Sequence, residues 1–435
     1  MDSCPRLPWE LFECFLEELG SQELNSAVRE ALANCALVCH IFHFKASGYL
    51  FSDIVVTKIG AETSEHARTA KRLKDLHHIF TANETLAPRV RSFSIATSVG
   101  PVEPRVGRTL ILGNQHLPRI LTALTALHHF GWSNYRLAFP WDALSDSIRI
   151  ALRTVFGRPT LRSLALECMD NVPPADIACC TGLTHLRLMH VDPPPNLDTP
   201  SEVPVLRLES LTEYNSPRMV NALLGGAAPL VELRALSVWM RHDEQVAAAW
   251  ALMQRVAPTL EELNIPELSH FRYPTLIPGP VDLGVLARLR TLSLGCRLTT
   301  LDRVIFPLGV AGLLREPKSP TRLEHLALRL DWVDCTVGSE EARFLREPGW
   351  GALDDALARR EVYPALREVG LTLRMGYGWV EDADGRPPGG VVRMKEKVQR
   401  LAEGLLAKVA ASGAVKVSVN LFLYKSIYAS EMSQI

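Results

Sequence analysis

From residue 86 onward the apolar positions of this chain fall into one recurring phrase: an apolar residue, two variable ones, a second apolar, one variable, and a third apolar. Its clearest copies are Leu161-x-x-Leu164-x-Leu166, Leu183-x-x-Leu186-x-Leu188, Leu289-x-x-Leu292-x-Leu294 and Leu323-x-x-Leu326-x-Leu328. Weaker copies are Val90/Phe93/Ile95, Leu127/Phe130/Trp132, Leu233/Leu236/Val238, Leu260/Leu263/Ile265 and Leu366/Val369/Leu371, and Val205 to Tyr214 is a degenerate copy without a fixed register. Neighbouring starts differ by 183 − 161 = 22, 260 − 233 = 27, 289 − 260 = 29 and 323 − 289 = 34 residues. The alternating part of each copy predicts a strand and the remainder a helix or irregular return. So small a repeat cannot bury its leucines alone, so copies should stack into a solenoid with a parallel sheet on its concave side. Helix candidates are Asp146–Phe156, Ser216–Leu224, Asp243–Val256, Glu340–Leu345, Leu353–Arg360 and Met394–Val409. Pro173, Pro193, Pro266 and Pro307 should lie in the connections, where no ladder bond is lost. Alternation at Val415, Val417, Val419, Leu421 and Leu423 predicts a last strand.

The N-terminal stretch has a different period. After Leu7-Pro8-Trp9-Glu10, Leu11, Phe15 and Leu19 recur at four-residue steps beside Phe12 and Leu16, and Pro8 suits a first helical turn. Between Ala27 and Phe44 the positions Val28, Ala31, Leu32, Cys35, Val38, Cys39 and Phe42 predict a second helical run, and Leu50, Phe51, Ile54, Val55 and Val56 close the unit. From about Ala61 to Phe80 the chain reads as an exposed helix whose apolar edge is Leu73, Leu76 and Phe80.

The ordered set Leu7-Pro8, Glu10-Leu11, Phe15-Leu16, Leu37-Val38-Cys39 and Leu50-Phe51 resembles the F-box, in the form common in mushroom-forming fungi. The resemblance covers roughly residues 5 to 56. It implies a three-helix module that binds the Skp adaptor, and through it a cullin ubiquitin ligase, with Leu7, Pro8, Leu11, Phe15, Leu16, Leu37 and Val38 as the contact residues. One departure is that His40-Ile41-Phe42 stands where an arginine-tryptophan pair often follows the Val-Cys dipeptide, which keeps an aromatic and loses the basic residue. The body resembles the leucine-rich-repeat-like region that follows many F-boxes. It lacks the asparagine eight residues after the first leucine, where Met169, Val191, Arg297 and Asp331 stand, so the solenoid should be irregular. The expected fold is thus α/β: an F-box-like helical domain at 1–58, a linking helix at 59–85, and an irregular right-handed leucine-rich-repeat-like solenoid with a terminal strand cap at 86–435.

Composition narrows the function classes. The 435 residues exceed one compact core, and 47% hydrophobic with 22% charged residues is ordinary for a soluble globular protein. A formal net charge of −1 gives no global attraction to nucleic acid or anionic lipid. Residues 1–60 carry four basic and eight acidic side chains, 4 − 8 = −4, which argues against a DNA-binding head. There is no signal-peptide pattern and no apolar run of the roughly 18 residues a membrane span needs, so a soluble intracellular protein, cytoplasmic and/or nuclear, is expected. Nine scattered cysteines read as reduced thiols. Cys35, Cys39 and His43 would share one helical face at four-residue steps, but no fourth ligand accompanies them and packing explains them. Glu381-Asp382-Ala383-Asp384-Gly385 lacks the later glutamate of a calcium loop and reads as a polar turn. No metal or cofactor is expected, and no catalytic elbow, phosphate loop or dinucleotide fingerprint indicates an enzyme.

The expected function therefore lies on surfaces. Variable positions between the leucines point away from the core, which makes Arg187, Met189, Trp239, Arg241, Arg329, Asp331, Thr372 and Arg374 candidate target contacts. Trp239 could equally cover the sheet edge. The expectation is a substrate-recognition adaptor that binds a Skp-type adaptor and a target protein, without nucleic acid, membrane or homo-oligomer. The alternative is a non-ligase interaction scaffold whose head only caps the first repeat, with a basic RNA groove as a weaker third reading.

Overall fold

Three helices open the chain: α1 (Trp9–Ser21), α2 (Ser26–Ala36) and α3 (His40–Leu50). They belong to a computed structural model that describes residues 9–22, 25–57, 65–98, 113–135, 138–195, 206–224, 232–240, 243–266, 283–298, 305–314, 319–335, 348–377, 396 and 398–425. The Asn25 side chain caps α2 by accepting from the Val28 N–H at 3.0 Å. The single helical run expected between Ala27 and Phe44 is instead two helices. Cys39 is extended, with φ −161°, and its carbonyl accepts from His43 to start α3. Leu16, Val28, Leu32, Phe42 and Ala46 form a shared core, with Phe12 edge-on to Phe42 at 5.5 Å.

The chain resolves into two compact units, Met1–Arg207 with Arg218–Gly226, and Leu208–Pro217 with Ala227–Ile435. In the first, the helical head leads directly into the sheet. Ile54 and Val56, expected to close the head, belong to β1 (Asp53–Thr57), which pairs in parallel with β2 (Ser92–Ser98). Between them runs α4 (Glu65–Ala82). The unit continues through α5 (His116–Ala123), β3 (His129–Tyr135), β4 (Phe139–Pro140), α6 (Asp146–Phe156), β5 (Ser163–Asp170), α7 (Pro174–Ala178), β6 (His185–Val191) and α8 (Pro217–Leu224). Its strands are parallel in the order β1-β2-β3-β5-β6, with β4 beside β5. The apolar phrase stacks copy on copy: Phe93, Phe130, Leu164 and Leu186 are in register, as are Ile95, Trp132, Leu166 and Leu188, and all are buried.

The second unit has its strands in the order β7 (Ser210–Tyr214), β8 (Ala235–Val238), β9 (Glu262–Ile265), β10 (Thr291–Leu298), β11 (His325–Cys335), β12 (Glu368–Tyr377) and β13 (Lys416–Lys425). Again every pairing is parallel, with Leu211, Leu236, Leu263, Leu292, Leu326, Val369 and Val417 in one register row. Parallel neighbours in chain order require a return after each strand. Among the returns are α9 (Asp243–Val256), α10 (Ile305–Leu314), α11 (Pro348–Leu357) and α12 (Ala407–Ala411). Gly295 of β10 allows a close approach: a Cβ there would meet the Pro266 carbonyl, so only a side chain of hydrogen lets the end of β9 lie this near to β10. Each unit is thus a parallel α/β layer built by repetition, compatible with a solenoid. No described helix is long and apolar enough to cross a membrane.

The degenerate copy acquires a register here, Leu208-x-x-Leu211-x-Glu213, with all three side chains buried. Its third apolar position holds a glutamate. The structure also shows what stands in for the missing asparagines. Cys168, His190 and Asn215, each seven residues after a first leucine (168 − 161, 190 − 183, 215 − 208), adopt left-handed backbone with φ 55°, 51° and 53°. Each turn sends the next residue, Met169, Val191 or Ser216, into the core. Left-handed backbone costs a non-glycine residue roughly 1–2 kcal/mol, offset at Cys168 and His190 by burial of the apolar Met169 and Val191. Pro307, expected in a connection, is the third residue of α10, where its missing N–H leaves no helical bond unmade.

Candidate functional site

The head presents two pairs of large apolar side chains to solvent. On α1, Phe12, Leu16 and Leu19 turn to the core, while Leu11 and Phe15, one turn apart, are more than half exposed. In the break between α2 and α3, Leu37 is 84% and Val38 68% exposed. The break is the reason: Leu37 and Val38 close it through backbone bonds to Asn34 and Cys35, and neither side chain has a helix to pack on. Leu16, read as a partner contact, is instead a fully buried centre of the head core. Leu7 and Pro8 lie outside the described residues.

Sequence reasoning missed Ile41 and Phe44 of α3, both at least half exposed. Their signal was available, because they are the apolar residues that the three- and four-residue stripe through Val28, Leu32 and Phe42 leaves over. Phe44 is held from one side: the Arg89 guanidinium carbon sits 3.7 Å from its ring centroid, and the same side chain donates to the Phe44 carbonyl oxygen. This clamp joins the head to the turn that precedes β2.

The helical face proposed for Cys35, Cys39 and His43 does not exist, because Cys39 lies in the break. Among the described residues no group of three or more His, Cys, Asp or Glu is arranged to hold a metal ion.

On the first unit's sheet the core-averse face joins Arg187 to Glu167 at 3.0 Å, while Ser133 donates to Glu167 at 2.5 Å. The Arg187 guanidinium also reaches the Met189 sulfur, at 2.9 Å. Arg187 and Met189 therefore act as one polar patch. In the second unit Trp239 is half-buried, just past β8, its ring 4.7 Å from that of Tyr214 on the neighbouring strand β7. Arg241 lies outside the described residues. Arg329, Asp331, Thr372 and Arg374 come together on β11 and β12, where Arg329 stands opposite Thr372 and Asp331 opposite Arg374. Asp331 is shared by Arg329 at 3.1 Å and Arg374 at 3.6 Å.

Two further clusters of this kind were not read from the sequence. Glu324 lies 3.7 Å from both Arg290 and Arg367, and Glu368 lies 3.6 Å from His325 and 3.3 Å from Lys416. Their signal is that Arg290, Glu324 and Arg367 each directly follow the first leucine of a copy, so charges in successive copies become lateral neighbours.

Among the ionisable groups displaced by burial, Glu213 and His77 stand beside groups that bear on the fold. Burial pushes the Glu213 carboxyl above its usual range, against the opposing pull of the Ser216 N–H that it accepts at 2.6 Å. Burial, followed by His116, Arg119 and His78, holds His77 below the ordinary imidazole value. Compared with known proteins, the chain matches no family model and no curated sequence.

Proposed function

We propose that this chain is the substrate-recognition adaptor of a Skp-cullin-F-box type ubiquitin ligase, its head binding the Skp adaptor and an irregular right-handed leucine-rich-repeat solenoid binding the target. The observation that carries the reading is the exposure of Leu11, Phe15, Leu37 and Val38 around a head whose own core is complete without them. Four large apolar side chains exposed on one small domain support an interface there. Covering a fully exposed leucine or phenylalanine side chain contributes about 1.5–3 kcal/mol, and these partly exposed ones correspondingly less, so they would be the anchors of such an interface and not its whole energy. The chain itself would catalyse nothing. It would raise the effective concentration of a target lysine near the ubiquitin-loaded enzyme.

A second reading has its own observation. The Arg89 clamp on Phe44 and the pairing of β1 with β2 tie the head to the first rung, as a structural cap of a non-ligase scaffold would be tied. Capture of a Skp-type adaptor by the purified chain separates the two: the ligase reading requires it, and the scaffold reading does not.

A further inference from the structure

On β10 to β13 and the residues that lead into them, each of three carboxylates is shared by two basic side chains: Glu324 by Arg290 and Arg367, Glu368 by Lys416 and the His325 imidazole, and Asp331 by Arg329 and Arg374, five arginines and lysines against three acids. The pattern leaves more positive than negative charge on this part of the sheet. It is also layered. In every pair the basic side chain is more exposed than its carboxylate, from Arg367 at 74% over Glu324 at 22% to His325 at 47% over Glu368 at 38%. A partner approaching this face meets guanidinium and ammonium groups before it meets acid. Ala327, Gly370 and Ser418, in register across β11 to β13, put only short side chains between the charged rows.

We propose that this face docks an acidic segment of a protein. The inference deepens the reading of the sheet as a target-binding surface and rests on it. From Glu324 to Asp331 the face extends about 23 Å at roughly 3.3 Å per residue, the span of an extended chain of about seven residues. The Arg290, Arg367 and Arg329 guanidinium forks each offer more N–H donors than one recessed carboxylate takes up, and the shared acid fixes their orientation before binding. Each pair of basic side chains surrounds its own carboxylate, an interrupted pattern that suits spaced acidic side chains better than a continuous phosphate backbone, which calls for an unbroken basic stripe. On β10 the position in register with His325 is Thr291, and on β9 it is Glu262, so the basic side chains of this row stop at β11.

The experiment is fluorescence anisotropy of a labelled heptaglutamate peptide titrated with the full chain at low and high salt, with heptalysine and a thymidine oligonucleotide as comparison probes. Saturable, salt-sensitive binding of heptaglutamate is expected. Arg367→Gln with Lys416→Gln, both at exposed positions, should weaken it at least tenfold, and Glu324→Gln should tighten it by freeing two arginines. A purely structural ion network predicts no tightening. Failure of heptaglutamate to bind, unchanged binding by the double variant, or preferential capture of the oligonucleotide overturns the proposal. Adaptor capture by the head is scored on the same preparations, so its retention alongside lost peptide binding removes this inference alone.

Discussion

The Nδ1 atoms of His77 on α4 and His116 at the start of α5 lie 3.2 Å apart, so one proton at most can sit between them. His78 completes a group of three imidazoles, its ring centroid 6.1 Å from that of His77 and 6.4 Å from that of His116. Asn114 fixes the position of His116 by accepting from the backbone N–H groups of His116 and Leu117. Protonation of both rings would set two cations in contact beside Arg119.

Because the folded state holds His77 below its ordinary value, the unfolded chain binds more protons in the window between the two. The contribution of His77 to stability is therefore complete above about pH 6.5 and is lost as pH falls through the folded value. An NMR titration should place the His77 midpoint below 6.5. In His116→Ala it should move up towards the ordinary value, and a wild-type midpoint at or above 6.5 contradicts the account.

Glu213 carries the opposite sign. Its carboxyl is held above the ordinary value by burial, so the folded state binds the extra proton, and its contribution is fully present in acid and lost as pH rises through the folded value. Glu213→Gln keeps an oxygen for the Ser216 N–H and removes the charge. Thermal melts should show the variant more stable than the wild type at pH 7, with the difference closing towards pH 4.

Asp354 of α11 caps a different helix. Its two carboxylate oxygens accept from the backbone N–H groups of Lys408 and Val409, at 2.9 and 3.0 Å, at the start of α12. Asp354 is buried, so Asp354→Ala leaves two donors without a partner and should cost about 2 kcal/mol in urea denaturation. Hydrogen exchange at Lys408 and Val409 should accelerate, while that in the head should not.

Most of the strand layer was legible because leucine spacing is a direct imprint of stacking. Leu161, Leu183, Leu289 and Leu323 start copies whose strands lie in register. The helices Asp146–Phe156 and Asp243–Val256 have the bounds read from their periodicity. Three things hid from the pattern for physical reasons. The copy at Leu208 was obscured because Glu213 occupies an inward position that the pattern reserves for apolar residues. The α2–α3 break was invisible because Val38 and Cys39 happen to continue the spacing of Val28 and Leu32 across a non-helical link. The helix Ile305–Leu314 is apolar throughout, so it shows no stripe, and Pro307 mimics a loop. On the surfaces, single outward positions such as Arg329 and Arg374 could be read, but their sharing of Asp331 depends on lateral register, which one strand's sequence does not contain.

The central claim is that the head docks on a Skp-type adaptor, and calorimetric titration of the purified adaptor into the full chain tests it most directly. The wild type should bind at micromolar concentration or tighter. Leu37→Asp with Val38→Asp, at positions that contribute nothing to the core of Leu16, Leu32 and Phe42, should weaken binding at least a hundredfold while the melting temperature stays unchanged. A folded wild-type chain that gives no binding heat, or a double variant that binds as the wild type does, would contradict it.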